Sequence, residues 1–313
     1  MRTYLLYLYT ESPLHAGGAE ADGSVDLPIQ REAATGYPLV WGQSLKGALR
    51  QAAYDAGWGD DRDGAADGGT VLDTLFGRAT TGDDDGPGVN ANAGRLVVGD
   101  AQLLALPVPT LMETFAWATS ALALSRLARK HARVCDDRGT RPFPAVPDGG
   151  GVCAEGKWED TRQVLGPCVV PVRGARKGEP DPVAEWADLI AREGIGDEPF
   201  FAPFAGKLRE DLIVVDETVM GQLLRECTEL SVRVQLDPEN KTVANGPFTS
   251  EYLPAETLLV SVLTLRDDGA ASTGLADRVD ELLDGRVLQI GGDETLGKGL
   301  VWTRLVKGEG DAT

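Results

Sequence analysis

The residues of this chain best suited to chemistry are one acid and a few cations set in glycine-rich loops. Asp26 stands between Val25 and Leu27 in the stretch GSVDLPIQRE. A carboxylate on a fixed loop can bind a divalent cation or assist removal of a proton from a hydroxyl group. It can instead anchor the loop by accepting backbone hydrogen bonds. The sequence leaves both roles open for Asp26.

Two further stretches combine glycine with positive charge. GQSLKGALR places Gln43, Ser44 and Lys46 in the first turn of a predicted helix. Arg50 follows one turn later, and the free N–H groups and dipole of a helix start favour a phosphate group. GGDETLGKG bends the chain beside Lys298, where glycine lets a ligand approach the backbone. Together the two stretches favour a phosphodiester chain as ligand, and a capped helix and a plain turn are the alternatives.

The motif content argues against several common enzyme classes. No P-loop, GxSxG elbow, HExxH pair or Ser-His-Asp order occurs. His15 and His131 stand in unrelated settings, which gives no reason to expect a histidine acid–base pair. The four cysteines form no CxxC pair, so reduced thiols are expected. His131 and Cys135, four residues apart, leave a scattered metal site open.

The composition bounds the possible partners. The chain has 313 residues and a formal net charge of -19, which disfavours a polyanionic ligand if the charge is taken as a whole. The charge is uneven, because residues 60–85 are strongly acidic whereas residues 121–180 carry eleven basic and seven acidic residues. Only the local field at a site acts on a ligand. No apolar run could span a bilayer and no convincing signal peptide is present, so a cytoplasmic protein is expected.

The elements that must position these residues alternate irregularly. TYLLYLYT predicts a buried first strand, and residues 11–36 form a long loop. TLMETFAWATSALALSRLARKHARV predicts a helix over much of its length. Segments 59–94 and 131–180 read as insertions, and residues 229–254 alternate and turn at DPEN, which predicts a β-hairpin. The pattern favours an α+β sheet with helices on one face over a doubly wound parallel sheet.

Two of the predicted helices begin at a residue suited to capping. Ser44 precedes LKGALR and Asp216 precedes ETVMGQLLREC, and both residue types accept hydrogen bonds from free N–H groups at a helix start. A third helix, in DPVAEWADLIAREG, has an apolar face that includes Val183, Trp186 and Leu189. These helices are expected to pack on the sheet.

Four motifs taken together resemble a known family. They are SPLHAGGAEADGSVDLPIQREAATGYPLVWGQSLKGALR, VGDA at 98–101, SEYLPAETL and LQIGGDETLGKGLV. In combination they resemble the RAMP superfamily, and within it the backbone (fourth) subunits of the Cmr complex, the type III-B CRISPR effector. The similarity covers both ends of the chain and the order of elements between them. Residues 60–94 and 131–180 resemble the family only in their general character and contain none of the specific motifs.

The resemblance implies a modified RRM-like (ferredoxin-like) palm in one elaborated domain, with residues 229–254 as a protruding thumb. It implies that copies of the chain form a helical filament on a guide crRNA, with other Cmr subunits and no membrane partner. Complementary target RNA would be cut at regular intervals with a divalent metal, Mg²⁺ or Mn²⁺. The catalytic and metal-binding aspartate falls on Asp26. Val25, Leu27 and Ile29 would fix its loop.

The family's products imply attack by the 2′-OH next to the cut phosphate, so DNA should survive. The family has a further acid where this chain has Ser250, so the resemblance supplies no second carboxylate there. It also implies RNA contacts, for each of which a structural role is the alternative. These residues are His15, Gln43, Ser44, Lys46, Arg50, Arg126, Arg129, Lys130, Glu251, Tyr252, Gly297 and Lys298.

Three functions remain open at this level. The first is a slicing subunit that works inside a guide RNA assembly. The second is a structural filament subunit without Asp26-dependent cuts, and the third is a stand-alone nuclease that processes repeat RNA. The scarcity of histidine argues against the third. The related type III-A (Csm) backbone subunit is a near alternative, and VDLPIQRE and IGGDETLGKG favour the Cmr form.

Overall fold

The structure is a computed structural model. It describes residues 1–18, 25–62, 69–78, 93–135, 141–156, 158, 161–266 and 272–308. The predicted loop 11–36 and the predicted insertions 59–94 and 131–180 each include positions outside this described part. In the described part, no helix is long and apolar enough to cross a bilayer. The four cysteines are free thiols.

The strands are β1 (Arg2–Thr10), β2 (Leu39–Val40), β3 (Leu96–Val98), β4 (Ala101–Pro109), β5 (Phe115–Ser120), β6 (Gly151–Cys153), β7 (Thr161–Leu165), β8 (Cys168–Gly174), β9 (Leu212–Val215), β10 (Glu229–Leu236), β11 (Val243–Tyr252), β12 (Leu258–Leu265), β13 (Arg286–Gln289) and β14 (Leu300–Lys307). The helices are α1 (Gly42–Asp55), α2 (Val71–Phe76), α3 (Ala121–Cys135), α4 (Pro182–Ile190), α5 (Ala202–Asp211), α6 (Glu217–Glu226) and α7 (Ser272–Leu283). A π-helical turn, Ala191–Ile195, follows α4, and a 3₁₀ turn, Glu294–Leu296, precedes β14.

Part of the large sheet forms an RRM-like palm. β1 pairs antiparallel with β14 on one side and with β12 on the other, and β12 in turn pairs antiparallel with β3 and β4. In chain order the four palm strands are β1, the pair β3 and β4, β12 and β14, with α1 between the first and second and α7 between the third and fourth. In the sheet they lie in the order 4-1-3-2. This is the ferredoxin-like arrangement. The predicted α+β class with a modified RRM-like palm is confirmed.

Helices cover both faces of this sheet. Leu6 and Leu8 of β1 belong to a core that includes Leu45 of α1, whereas Tyr7 belongs to a second core that includes Trp186 of α4. Because alternate residues of a strand face opposite sides, these two cores lie on opposite faces. The expectation of helices on one face is therefore wrong. Burial on both faces also explains why TYLLYLYT is apolar almost throughout.

Strands inserted between β4 and β12 extend the sheet in the order β5-β9-β6-β8-β7. β5 pairs antiparallel with β4 and parallel with β9. The predicted helix in TLMETFAWATSALALSRLARKHARV is therefore wrong for its first part, because residues 115–120 form β5 and the helix begins at Ala121. Pairing on both edges of a buried strand outweighs the weak local preference for a helix.

The predicted hairpin is present as a separate two-stranded sheet. β10 and β11 pair antiparallel from Glu229 opposite Tyr252 to Leu236 opposite Val243. Most of β10 is exposed, so the hairpin protrudes from the palm as a thumb. The end of β11 is buried and leads directly into the palm strand β12. The base of the thumb therefore lies next to the start of β12, a central strand of the palm.

Candidate active site

Residues 25–29 are held against β11 by backbone hydrogen bonds. The N–H groups of Asp26 and Leu27 donate to the carbonyl of Thr249 at 3.1 and 3.0 Å. The N–H of Glu251 donates to the carbonyl of Leu27 at 2.9 Å, and Leu27 lies opposite Ser250 in parallel register. This segment therefore lies along β11 at the base of the thumb through isolated bridges, and these hydrogen bonds fix the backbone of Asp26.

The side chain of Asp26 is exposed, and one of its oxygens is engaged. Oδ2 accepts a hydrogen bond from the N–H of Thr249 at 2.8 Å, and no described residue donates to Oδ1. One oxygen therefore anchors the loop while the other faces the surface. Ile29 is buried as expected, but Leu27 is 45% exposed, so the prediction that its side chain fixes the loop is wrong. Backbone hydrogen bonds take that role.

Glu251, predicted to contact RNA, is instead buried in the protein. Its Oε1 lies 2.5 Å from Nη2 of Arg31 and accepts a hydrogen bond from the hydroxyl of Thr228 at 2.8 Å. Its Oε2 accepts a hydrogen bond from the N–H of Ile29 at 3.1 Å. Because three donors occupy this carboxylate, its role in this structure is to tie the loop to the thumb base.

Three of the predicted RNA-binding residues meet beside this loop. Tyr252 is 1% exposed, and its ring centroid lies 5.4 Å from that of His15. Nζ of Lys298 lies 5.0 Å from the centroid of Tyr252, within the range of a cation–π contact. Nδ1 of His15 lies 2.7 Å from the carbonyl oxygen of Glu251. The buried ring of Tyr252 therefore packs against both His15 and Lys298. Of these three residues, His15 and Lys298 are partly accessible to solvent.

The glycine-rich loop reaches this group through an acid that the sequence analysis missed. Asp293 accepts a hydrogen bond from the hydroxyl of Tyr252 at 2.7 Å and forms an ion pair with Arg233 at 2.8 Å. The guanidinium of Arg233 holds the pKa of Asp293 below its usual range. Burial, followed by the hydrogen bond to Asp293, raises the pKa of Tyr252. Gly297 closes the turn with a positive φ of 73°, a conformation that favours glycine.

The start of α1 differs from the prediction. The helix begins at Gly42, so Ser44 lies inside it and is not the N-cap. Oδ1 of Asp100 instead accepts a hydrogen bond from the N–H of Gly42 at 2.7 Å. A Cβ atom at Gly42 would lie 2.5 Å from the carbonyl oxygen of Val98, so the close approach of α1 to β3 requires glycine. The carboxylate of Asp100 therefore accepts the hydrogen bond of the first amide of α1, and this amide is not available to a phosphate group.

The same turn of α1 is joined to the Asp26 loop by Gln30. This buried side chain donates to Oγ of Ser44 at 3.1 Å and to the carbonyl of Gly17 at 3.0 Å, and it accepts from the N–H of Trp41 at 2.6 Å. Ser44 therefore has a structural role in holding the loop to the helix. Gln43, next to it, is exposed and remains available for a ligand.

Lys46 faces a cleft of about 610 Å³ between α1, the end of α2 and β3. Burial, and then Arg266 and Arg50, lower the pKa of Lys46, and no described residue forms an ion pair with it. Arg50 is engaged elsewhere, because it donates to the carbonyl of Gly77 at 2.5 Å and lies 3.5 Å from Asp73. Lys46 is therefore the member of this pair that is placed to bind an anion.

The basic run on α3 is largely structural. Nη2 of Arg126 lies 2.7 Å from Oε2 of Glu32, and Nζ of Lys130 donates to Oε1 of Gln102 at 2.5 Å. Burial lowers the pKa of Lys130 to about 8. Arg129 alone among the three is exposed. Arg126 and Lys130 therefore hold α3 to the end of the Asp26 loop and to β4, which favours the structural alternative for these two residues over the implied RNA contact.

The acids of the site do not form a metal cage. Among the described residues, no group of three His, Cys, Asp or Glu side chains could hold a metal ion, and this includes the pair left open at His131 and Cys135. Glu251 and Asp293 are engaged by arginines, which leaves Oδ1 of Asp26. Mg²⁺ is commonly bound by one or two carboxylates together with substrate phosphates and water. The residues present therefore fit a cation shared with a nucleic acid.

Sequence comparison places these features in a family. A profile of the RAMP superfamily matches residues 7–302. The chain belongs to the RAMP superfamily. Within it, the chain is 30% identical over 310 residues to the CRISPR system Cmr endoribonuclease Cmr4 of Pyrococcus furiosus, covering 97% of this chain and 96% of that protein. The predicted similarity to the Cmr backbone subunits is confirmed.

Solved structures of RAMP proteins have the same fold. The crystal structure of oligomeric Cmr4 from Pyrococcus furiosus has a TM-score of 0.71 at 28% identity and covers 98% of this chain and 99% of that chain. A chain in the cryo-EM structure of the type III-B Cmr-beta bound to cognate target RNA has a TM-score of 0.69 at 19% identity. That match covers 97% of this chain and 96% of the other.

Proposed function

We propose that this RAMP protein is the backbone subunit of a type III-B CRISPR (Cmr) effector complex that cleaves RNA complementary to its guide. The observation that carries this proposal is the exposed side chain of Asp26, held by Thr249 of β11, the strand that also carries Tyr252 with its contacts to His15 and Lys298. Similarity over 97% of the chain to a named endoribonuclease supports the activity. Asp26 is the residue proposed to act on the target strand.

The chemistry proposed for Asp26 is transesterification. The free oxygen of Asp26 would take the proton of a 2′-OH, directly or through water. The 2′-oxygen would bond to the adjacent phosphorus as the bond between that phosphorus and the 5′-oxygen breaks. The products are a cyclic phosphate and a 5′-OH, with the proton returned to the leaving oxygen. A divalent cation, Mg²⁺ or Mn²⁺, shared with the RNA would stabilise the charge that develops on the phosphate. His15 and Lys298 would orient the target strand.

The remaining contacts are proposed to bind the guide and to build the filament. Lys46 in its cleft beside α1 and the exposed Gln43 suit a phosphodiester backbone, so we propose that the guide crRNA binds there. The thumb exposes large apolar side chains on one face of β10, among them Leu230 at 59% and Val232 at 65%. Exposed apolar surface of this kind suits contact with another macromolecule. Further copies of this chain and other Cmr subunits are the proposed partners.

A reconstituted complex tests the activity. Guide-loaded complex is mixed with end-labelled complementary RNA in Mg²⁺, and the products are resolved on a gel. The expected result is a ladder of regularly spaced cuts that EDTA abolishes. Complementary DNA and non-complementary RNA serve as controls and should stay intact, because DNA lacks the 2′-OH and unmatched RNA does not pair. Guide-loaded complex that leaves complementary RNA intact would refute the activity.

A second candidate function is a filament subunit that binds guide RNA without cutting. One observation favours it, because Oδ2 of Asp26 anchors the loop to Thr249, and the resemblance adds that a further acid is expected where this chain has Ser250. This candidate predicts normal guide binding by the wild-type complex together with the absence of a ladder. The same gel, run alongside a guide-binding measurement, separates the two candidates.

A further inference from the structure

An ion pair joins the thumb to the palm. Arg233 projects from β10, and its Nη1 lies 2.8 Å from Oδ1 of Asp293 in the glycine-rich loop. Its Nη2 donates to Oγ of Ser250 on β11 at 2.7 Å. One planar guanidinium group thus connects both thumb strands to the palm through two directed hydrogen bonds. Such fork contacts fix geometry better than a single point charge does.

Asp293 is well placed to receive this contact. Its backbone is left-handed, with a φ of 62° and a ψ of 29°, a conformation that aspartate adopts more readily than most residues. While Oδ1 faces Arg233, Oδ2 accepts the hydroxyl of Tyr252 at 2.7 Å. The hydrogen bond from Arg233, and then that from Tyr252, lower the pKa of Asp293. Both oxygens of an ionised carboxylate therefore hold the thumb base.

The strand that Arg233 grips is also the strand that holds Asp26. Ser250, which receives Nη2 of Arg233, follows Thr249 directly in β11. Thr249 in turn bonds both the side chain and the N–H of Asp26, and Ser250 lies opposite Leu27. A shift of β11 against the palm would therefore carry Asp26 with it.

We propose that Arg233 and Asp293 are positioning residues that fix the thumb base against the palm and so set the phosphate at which Asp26 cuts the target RNA. The proposal rests on the proposed function, since it takes Asp26 as the cleaving residue. Neither Arg233 nor Asp293 needs to touch RNA in this role. An isolated surface ion pair contributes little, but here the same guanidinium also donates to Ser250, and the pair is only partly exposed, with side chains 32% and 20% accessible.

Loss of the pair should change where and how fast the RNA is cut. A displacement of about 1 Å at a reacting centre can lower a rate by about 100-fold. We therefore expect Arg233→Gln to lower the single-turnover cleavage rate by about 10- to 100-fold and to spread the cuts to neighbouring phosphates. Affinity for the guide should stay within about twofold, because the cations on α1 are unchanged.

The experiment compares complexes containing wild-type chain, Arg233→Gln, Asp293→Asn and the double variant. End-labelled complementary RNA is cut under single-turnover conditions and mapped at single-nucleotide resolution, with guide binding measured in parallel. The double variant should be no slower than the slower single variant, because residues in direct contact are not additive. Arg278→Gln is the control, since its ion pair with Asp61 has comparable side-chain accessibilities of 33% and 24%.

The outcomes separate this proposal from the function on which it rests. If Arg233→Gln cuts at wild-type positions and rates while Asp26→Asn is inactive, the positioning role is wrong and the cleavage function stands. If Asp26→Asn also cuts normally, Asp26 is not the cleaving residue, and the part of the proposed function on which this inference rests fails. Should Arg233→Gln not enter the complex, Asp293→Asn removes the negative charge that Arg233 contacts and leaves Arg233 in place. Displaced or slower cuts in that variant support the proposal, and unchanged cuts and rates overturn it.

Discussion

Asp26 and Thr249 bind each other through two hydrogen bonds that run in opposite directions. The N–H of Thr249 donates to Oδ2 of Asp26 at 2.8 Å, and the N–H of Asp26 donates to the carbonyl of Thr249 at 3.1 Å. Asp26→Ala should therefore lower the free energy of unfolding by about 1 kcal/mol, whereas Asp26→Asn keeps an acceptor oxygen and should lower it little. Urea denaturation of both variants measures this difference. Equal stabilities would mean that the side chain does not anchor the loop.

The Arg31–Glu251 pair should be a major contributor to the stability of the thumb base. In the native chain, Arg31, Thr228 and the N–H of Ile29 donate to the two carboxylate oxygens of Glu251, and Glu251→Gln leaves them one acceptor oxygen. We expect the free energy of unfolding to fall by about 2 kcal/mol, the low end for such pairs because the side chain of Arg31 is 20% exposed. Denaturant unfolding tests this, with the exposed Glu229→Gln as control. A change in Glu251→Gln no larger than in Glu229→Gln would contradict the buried role.

Lys46 should contribute to guide binding through charge. Lys46→Gln should weaken binding of single-stranded RNA regardless of sequence and reduce the slope of log K against log salt by about 0.7. Fluorescence anisotropy over a series of KCl concentrations measures both quantities. Lys177→Gln, an exposed lysine in the loop after β8, is the matched control and should leave the slope unchanged. An unchanged slope in Lys46→Gln would remove Lys46 from the guide site.

Stability should depend on pH through Glu256. Burial raises the pKa of this carboxyl from an ordinary value of 4.5 to about 7. Between these values the folded state keeps a proton that the unfolded state loses, so the free energy of unfolding should fall as pH rises. It should then level off above about pH 7, after a total fall of about 1 to 2 kcal/mol, because solvent screens this partly exposed carboxyl. Glu256→Gln should remove this fall in urea titrations at pH 4.5 and 8, and an equal fall in the variant would contradict the assignment.

The sequence alone predicts the locally encoded features of this fold. β1, the thumb hairpin and the helix start at Asp216 follow from apolar patterning, turn residues and capping. Oδ1 of Asp216 accepts the N–H of Thr218 at 2.9 Å, as its position before α6 predicts. The resemblance implies RNA contacts for His15, Tyr252 and Lys298 one by one, and the structure shows that the ring of Tyr252 contacts both His15 and Lys298.

Features that depend on distant partners escape a local reading. Asp100 caps α1 from 58 positions away, and Arg233 meets Asp293 across 60 positions, so no short window contains both partners. Ser44 has the right residue type for a cap, but the helix begins at Gly42 with Trp41 at the N-cap position, so Ser44 lies three residues too late. The burial of Glu251 is hidden for the same reason, because its partner Arg31 lies 220 positions earlier.

Cleavage by a complex containing Asp26→Asn tests the central claim most directly. The asparagine keeps the hydrogen bond to Thr249 and removes the negative charge, so folding and guide binding should match wild type. The proposed function predicts that the single-turnover cleavage rate of complementary RNA in Mg²⁺ falls by at least about 100-fold, the usual contribution of a general base. A ladder with wild-type positions and a rate within about threefold of wild type would contradict it, and would leave Asp26 as an anchor for the loop.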